Sequence, residues 1–571
     1  FGSSFWLSIL EKSLLFGSSP HIAMAQMSVS DFLISRIHEL GVEHVFGIPG
    51  DYVLPFFDEM IKDGSPVQHI GTCNELNAGY LADGYSRVKG FGVAAVTYGP
   101  GAFNAVNAVA GANDANVPLL LVSGAPPTAK YGSGKMVLHH VVGRDFEASL
   151  RVFSPITAAA ARIYSAGEAV PTIDWLLKIA LDKKRPVYLE IPVDLQKAEI
   201  QMPGLLNYQP PCSDQQALAR ALEEVARSVN GAEKVGVLVG VFVDREGLQD
   251  VVEDLLIQSG LPFATTFDQK AGYLEHLPNC VGFYQGALSA NAVYDATEGA
   301  DVLLTIGMPL TEFGLGFTDL REDNLIELGH DSVSMQGKTT HGVYLREMLP
   351  LLAKSITPRP RIAVEDTFPY SYNREPSPPK DKPLTVDFMY SNLAHFVQEG
   401  DIVTANTGAY ITLTRMRMKR GNTTAGPTNW ASLGSVFPVS IGMAFAAPER
   451  RVICIDGDGS FQMTGMELST LLRYKLDFML IILNNAGYTA ERSIHPERED
   501  SYNDVQVWNY HLLPHALGGP ASSNGVESHS EVEFAEALQY GLGKGPRVVN
   551  ARVDKMDIPE FFQEMSEKLR H

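Results

Sequence analysis

"RVICIDGDGSFQMTGMELSTLLRYKLDFMLIILNN", residues 451–485, holds two short polar motifs, Gly-Asp-Gly at 457–459 and Asn-Asn at 484–485, each behind an apolar run. Residues 452–455 have the unbroken hydrophobicity of a strand buried on both faces, and so do residues 478–483. Between them "GMELSTLLRY" has helical spacing, with Met466, Leu468, Leu471 and Leu472 expected on its apolar side. A strand–helix–strand unit brings the chain back to the same sheet by a right-handed crossover. Both motifs are therefore expected at the carboxyl ends of neighbouring parallel strands, where open α/β sheets bind ligands. Asp458 and an Asn side chain of the pair offer oxygen ligands for a hard cation such as Mg²⁺, which keeps few protein ligands and bridges them to phosphate. Either motif alone would be an ordinary turn former. Together, on one supersecondary unit, they specify a site.

The same alternation runs through the whole chain and predicts the α/β class, with mostly parallel, doubly wound sheets in three domains. Strands are expected at "HVFGI", "VAAVTY", "LLLVSG" and "VYLEI" in a first domain over 27–203. "VGVLVG", "FATTF" and "VLLTIG" mark a middle domain over 214–355, after a Pro-rich connection at 201–214. Residues 356–384 hold seven prolines and read as a second linker, and a third domain fills 385–571. Residues 1–26 are expected to form a poorly ordered extension. Their apolar patch lacks a basic leader and is interrupted by Glu11 and Lys12, so a signal peptide is not expected.

Composition narrows the partners. With 571 residues the chain is too long for one core. A net charge of −21 argues against nucleic acid or an anionic membrane as the main partner, but not against a small anionic substrate. The four cysteines, Cys73, Cys212, Cys280 and Cys454, form no CxxC pair, so neither a disulfide framework nor a zinc site is expected and a cytosolic setting fits. No apolar run reaches the roughly 20 residues of a membrane span.

Gly-Asp-Gly, 24 residues, then Asn-Asn resembles the cofactor motif of the thiamine-diphosphate-dependent enzymes. That resemblance implies a magnesium ion held by Asp458, Asn485 and the carbonyl of Gly487, with Gly459, Ser460 and Phe461 beside the diphosphate. It also implies cofactor contacts from Thr97, Thr407 and the carbonyl of Ala431, and a bulky prop under the bent cofactor from Leu433. "GTCNELNAGYLADGYSR" (71–87) places Glu75 where these enzymes carry the glutamate that protonates the pyrimidine ring and so activates the thiazolium carbon. Read without the resemblance, Glu75 is an acid in the first turn of a helix, favoured there by the macrodipole.

Three further stretches narrow the reaction. "GIPGDYVLPFFDE" (47–59), "VLHHVVG" (137–143) and "NNAGYTAERSIH" (484–495) resemble the pyruvate decarboxylase group, and supply Asp51, His139, His140 and Glu491. Adjacent histidines suit a shared zinc less well than an i, i+4 pair, and solvated loop histidines are the plain alternative. By the resemblance these four groups surround the thiazolium and handle carboxylate, CO₂ and proton. The implied activity is decarboxylation of a 2-oxo acid to an aldehyde through an enamine, in a homodimer or dimer of dimers whose active sites lie between subunits.

The chain departs from pyruvate-specific members in its substrate pocket. Ala490 stands where they have Ile, and Ile411 and Thr412, after Tyr410, replace a Trp-Phe pair. The expected substrate is therefore larger than pyruvate, aromatic or branched, although each methylene of fit is worth only about 1 kcal/mol. Asn406 replaces a usual acid and Met466 a usual Gln. An acyloin-forming carboligase would share every step up to the enamine. A catalytically silent regulatory paralogue would be marked by loss of Glu75, Asp458 or Asn485, all of which are present. No GxGxxG follows a first strand, which disfavours a nicotinamide enzyme.

Overall fold

A computed structural model of the chain describes residues 26–131, 137–270, 272–315, 320–360, 372–498, 500–568 and 570. The expected extension lies, up to residue 25, outside the described residues, as does 361–371 of the second linker.

A short antiparallel pair, β1 (Gln26–Ser28) with β8 (Glu199–Gln201), ties the start of the first domain to its end. Between them run β2 (His44–Gly47), β3 (Gln68–Gly71), β4 (Gly92–Val96), β5 (Leu119–Ala125), β6 (Ala159–Arg162) and β7 (Val187–Pro192). They form a parallel sheet of order β3-β2-β4-β5-β7-β6. The middle domain has β9 (Val235–Val239), β10 (Phe263–Thr265), β11 (Cys280–Phe283), β12 (Val302–Ile306), β13 (Leu325–Leu328), β14 (Ser332–Met335) and β15 (Lys338–His341). Its sheet runs β11-β10-β9-β12-β13-β14-β15, parallel until an antiparallel edge begins at β14. The third sheet uses β16 (Ile402–Ala405), β17 (Thr423–Ala425), β18 (Val452–Gly457), β19 (Phe478–Asn484), β20 (Val526–Ser528) and β21 (Pro546–Arg552). Its order is β17-β16-β18-β19-β21-β20, again parallel throughout.

In the first and third sheets the strand order thus reverses at equivalent places, between β2 and β4 and between β16 and β18. Such a reversal opens a crevice at the carboxyl ends of the strands. The two sheets share one hydrophobic core, in which the wholly buried helix Val436–Ala446 packs on the helix Glu75–Lys89. A helix apolar on every side needs such a burial on all faces. The middle domain keeps a core of its own. Among the described residues no helix is long and apolar enough to cross a membrane, and all four cysteines are free.

Candidate active site

β18 and β19 are direct neighbours, paired from Val452↔Phe478 to Gly457↔Leu483, so Asp458 and Asn485 emerge side by side. The helix does not wait for residue 465: it begins at Asp458 and runs to Thr464, followed by a 3-10 turn and a second helix, Leu468–Tyr474. That shift turns Met466 outward, 66% exposed, instead of onto the expected apolar side.

Asp458 is fully buried; its Oδ1 accepts from the Gly459 N–H at 2.7 Å and its Oδ2 from the Gly487 N–H at 3.1 Å. Burial pushes its carboxyl up to about 6, and the backbone N–H groups pull it back only in part. Asn485 Oδ1 is buried with no hydrogen-bond partner among the described residues. An orphaned carboxamide oxygen costs about 1–3 kcal/mol, which a bound cation would offset. The first Asn of the pair has a different job, since Asn484 Nδ2 donates to Asn550 Oδ1 at 2.9 Å within the sheet. Backbone turns at Ala486 (φ 56°) and Gly487 (φ 142°) present the Gly487 carbonyl, and an added Cβ on Gly487 would strike the Asn503 carbonyl. A carboxylate, a carboxamide oxygen and a carbonyl are a hard-oxygen set, which fits Mg²⁺ and a diphosphate.

Sequence reasoning missed the brace of this turn. Arg492, nearly buried, donates to the carbonyls of Asn485 (3.0 Å) and Ala486 (2.8 Å) and to Asp504 Oδ1 (2.8 Å). An arginine one position past the predicted glutamate carries no signal of that role until the turn is seen.

A cavity of about 380 Å³ opens above the clamp. Thr407, Ala431, Leu433, Asp458, Gly459, Ser460, Asn485, Gly487, Ala490, Ile411 and Glu491 all line it. Thr407 Oγ1 reaches the Ala431 carbonyl at 3.5 Å, and Ala431 itself is left-handed (φ 51°). Asn406 lines it too, its Nδ2 held by the buried Asp456 Oδ1 at 2.7 Å. Two residues lie elsewhere. Tyr410 turns away: its hydroxyl donates to the Phe267 carbonyl at 3.2 Å and its ring stands edge-on to Phe267. Phe461 is core, packed between Phe437 and Tyr510. Phe313, from the middle domain, and Ile558 and Phe562, from near the C-terminus, supply apolar wall instead.

The other candidates gather on the first sheet. Asp51 follows β2, Glu75 follows β3 and Thr97 follows β4, all at carboxyl ends. Glu75 is the first residue of its helix, half-buried, with Asn104 Nδ2 donating to its Oε2 at 2.8 Å. Thr97 Oγ1 is buried without a partner among the described residues. His139 Nε2 lies 2.7 Å from Asp51 Oδ2, with the His139 ring stacked on Tyr52. His140 adopts the left-handed region (φ 65°), which brings its Nδ1 within 4.0 Å of Asp51 Oδ1. Ligand atoms of the three fall within 4.8 Å of one another, so adjacent histidines are less unsuited to a shared ion than their spacing implies. Asp51 and His139 remain 52% and 59% exposed. None of these N-terminal residues lines the cavity of its own chain.

One buried acid joins the two halves. Glu467 accepts from the Cys73 N–H at 3.1 Å and from Asn77 Nδ2 at 2.7 Å, on either side of Glu75. Burial raises its carboxyl above the usual range.

Comparison with known proteins gives a consistent family. Residues 27–148 match the thiamine pyrophosphate enzyme N-terminal TPP binding domain, 222–345 its central domain and 406–551 its C-terminal TPP binding domain. An alpha-keto-acid decarboxylase of Mycolicibacterium paratuberculosis is 34% identical over 94% of this chain and 96% of its own length. The protein of that name from Mycobacterium avium is 35% identical, again over 94% and 96%. That of Mycobacterium ulcerans is 32% identical over 94% and 95%. With three matched domains and relatives aligned over nearly their whole length, the chain belongs to the thiamine-diphosphate-dependent 2-oxo acid decarboxylase family.

Proposed function

We propose that the chain decarboxylates a 2-oxo acid larger than pyruvate, aromatic or branched, to the corresponding aldehyde. The observation that carries the size of the substrate is the cavity wall. Ala490 and Thr412 leave room where larger side chains would close it, and Phe313, Ile558 and Phe562 complete an apolar lining. Burying a substrate side chain there is worth roughly 25 cal/mol per Å² of apolar surface.

Thiamine diphosphate, when bound with Mg²⁺, supplies the carbon nucleophile and the electron sink for loss of CO₂. Asp458, Asn485 and the Gly487 carbonyl would hold the ion, while Thr407, Ala431, Leu433, Gly459 and Ser460 line the cofactor's berth. Glu75 would hold a proton at the pyrimidine ring, and Thr97 would add a cofactor contact from the same sheet. Asp51, His139 and His140 would exchange protons with the substrate, and Glu491, which lines the cavity, would join them in that task. A hydrogen-bonded carboxylate fixes the orientation of its imidazole partner, which is what Asp51 does for His139.

Glu75, Asp51 and the histidines of one chain complete the cavity of another, in a homodimer or a pair of such dimers acting in the cytosol. The support for this assembly is the separation of the two groups within one chain and the exposure of Asp51 and His139. The test of substrate class is kcat/KM for pyruvate against phenylpyruvate and a branched-chain oxo acid, with aldehyde detection. Preference for the larger acids is expected; a clear preference for pyruvate would sink the reading.

A further inference from the structure

His139 and His140 lie on a segment with almost no regular structure. Residues 137–147 precede the helix Ala148–Phe153 and hold one isolated bridge, Val142↔Asp145. Beyond its own residues and that helix, the described hydrogen bonds that tie the segment down come from three side chains. Asp51 meets His139, and the other two converge on one point. Tyr98 Oη donates to the Phe146 carbonyl at 2.8 Å, and an Arg162 Nη2 N–H donates to the same oxygen. Arg162 Nη1 donates to Glu147 Oε1 at 2.6 Å.

Arg162 is itself locked. It ends β6 and stands opposite Glu190 of β7, with side-chain exposures of 1% and 0%. Its Nε donates to Glu190 Oε2 at 2.6 Å, and Tyr188 Oη donates to Glu190 Oε1 at 2.9 Å. The guanidinium plane lies 4.8 Å over the Tyr131 ring, which in turn meets Phe146 edge-on at 4.9 Å. A buried ion pair is a weak source of stability, because desolvation offsets most of its attraction. What this pair provides is direction. Nε and Nη2 both lie 2.6 Å from Glu190 Oε2, while Nη2 also serves the Phe146 carbonyl and Nη1 serves Glu147, in the fork that only arginine offers.

The far side of the segment is held by shape. Gly99 (φ 67°) lets the His140 carbonyl sit where a Cβ would collide with it, and His140 holds the left-handed backbone that turns both rings to Asp51. A non-glycine residue keeps such a conformation only when its surroundings impose it.

We infer that Arg162, fixed by Glu190, is a positioning residue for the His139–His140 pair. It acts through the Phe146 carbonyl and Glu147 and touches neither substrate nor cofactor. This rests on the reading that the histidines serve the decarboxylation. In the magnesium- and thiamine-diphosphate-loaded enzyme, Arg162→Lys keeps a charge for Glu190 but cannot reach Phe146 and Glu147 together. It should lower kcat at least tenfold with KM and the cofactor's Kd within threefold of wild type. A merely structural role would lower Tm and leave kcat per folded enzyme unchanged, and a folded Arg162→Lys with kcat within twofold of wild type overturns the inference. Tyr98→Phe removes one donor to the same carbonyl while sparing the ion pair, and should lower kcat severalfold. If Arg162→Lys does not fold, unchanged kcat in Tyr98→Phe overturns it instead. His139→Ala and His140→Ala, run beside them, separate the two claims. Full turnover in both refutes the histidine role and the positioning role with it, whereas loss there with normal Arg162→Lys refutes the positioning role alone.

Discussion

The first and third domains repeat one strand order and point the same edge of the sheet at ligand, yet they equip that edge differently. On the third sheet the two groups of the Gly-Asp-Gly and Asn-Asn motifs are dry: Asp458 is fully buried, and the Asn485 carboxamide oxygen is buried without a partner among the described residues. On the first sheet Asp51 and His139 are more than half exposed. The difference follows from what each edge must do. Oxygen atoms that grip a cation work best preformed and desolvated, because the ion offsets the desolvation. Groups that complete another chain's cavity stay open on their own chain until that chain covers them.

The sharpest way to break that comparison is to remove the dry acid. Asp458→Ala should raise the Kd for Mg²⁺ more than about 100-fold by calorimetry and abolish turnover, since ligand loss exceeds the 10–100-fold cost of losing a ligand's hydrogen-bond support. The same acid sets a pH dependence in the unsubstituted protein. The ion requires ionised Asp458, whose carboxyl titrates at about 6, so Mg²⁺ affinity should be flat above that pH and fall about tenfold per unit below it. Without the ion the sign reverses. Protonated Asp458 stabilises the fold below the ordinary carboxylate range, and that contribution is lost as pH rises through about 6.

Glu75→Gln probes the first sheet's edge. Cofactor binding should survive, because the metal clamp is untouched, while kcat falls roughly 10²–10⁴-fold, the usual yield of a placed acid–base group. Equal loss of cofactor binding would mean that the two edges do not divide their labour as described. The smallest effect belongs to the pocket. Ala490→Ile should shift the kcat/KM ratio toward pyruvate by about 10-fold, within the 1–3 kcal/mol of a few methylenes.

Much of the third sheet's edge was legible because it is local. Two motifs on consecutive strands carry their own spacing, and a buried parallel strand announces itself by an unbroken apolar run. The wall of the cavity was not, because Phe313, Ile558 and Phe562 come from distant parts of the chain and meet only in the fold. Tyr410 illustrates a different limit. The helix Thr407–Leu413 is buried on nearly every side, so periodicity could not say which residues face the ligand. Its partner, the Phe267 carbonyl of the middle domain, decided that. β6 escaped notice for a third reason: "AAAR" has little intrinsic strand preference, and its pairing with β7 makes it a strand. That strand ends in Arg162, which the sequence offered no reason to single out.

The central claim is that one chain's wet edge serves another chain's dry edge, and mixing two defective chains tests it most directly. Glu75→Gln and Asp458→Ala subunits, each inactive alone, would be unfolded together and refolded at equal amounts. If sites are shared between chains, half of the random dimers are mixed and each holds one intact site, so about a quarter of wild-type activity should return. If each chain carries its whole site, every site keeps a defect and the mixture stays inactive.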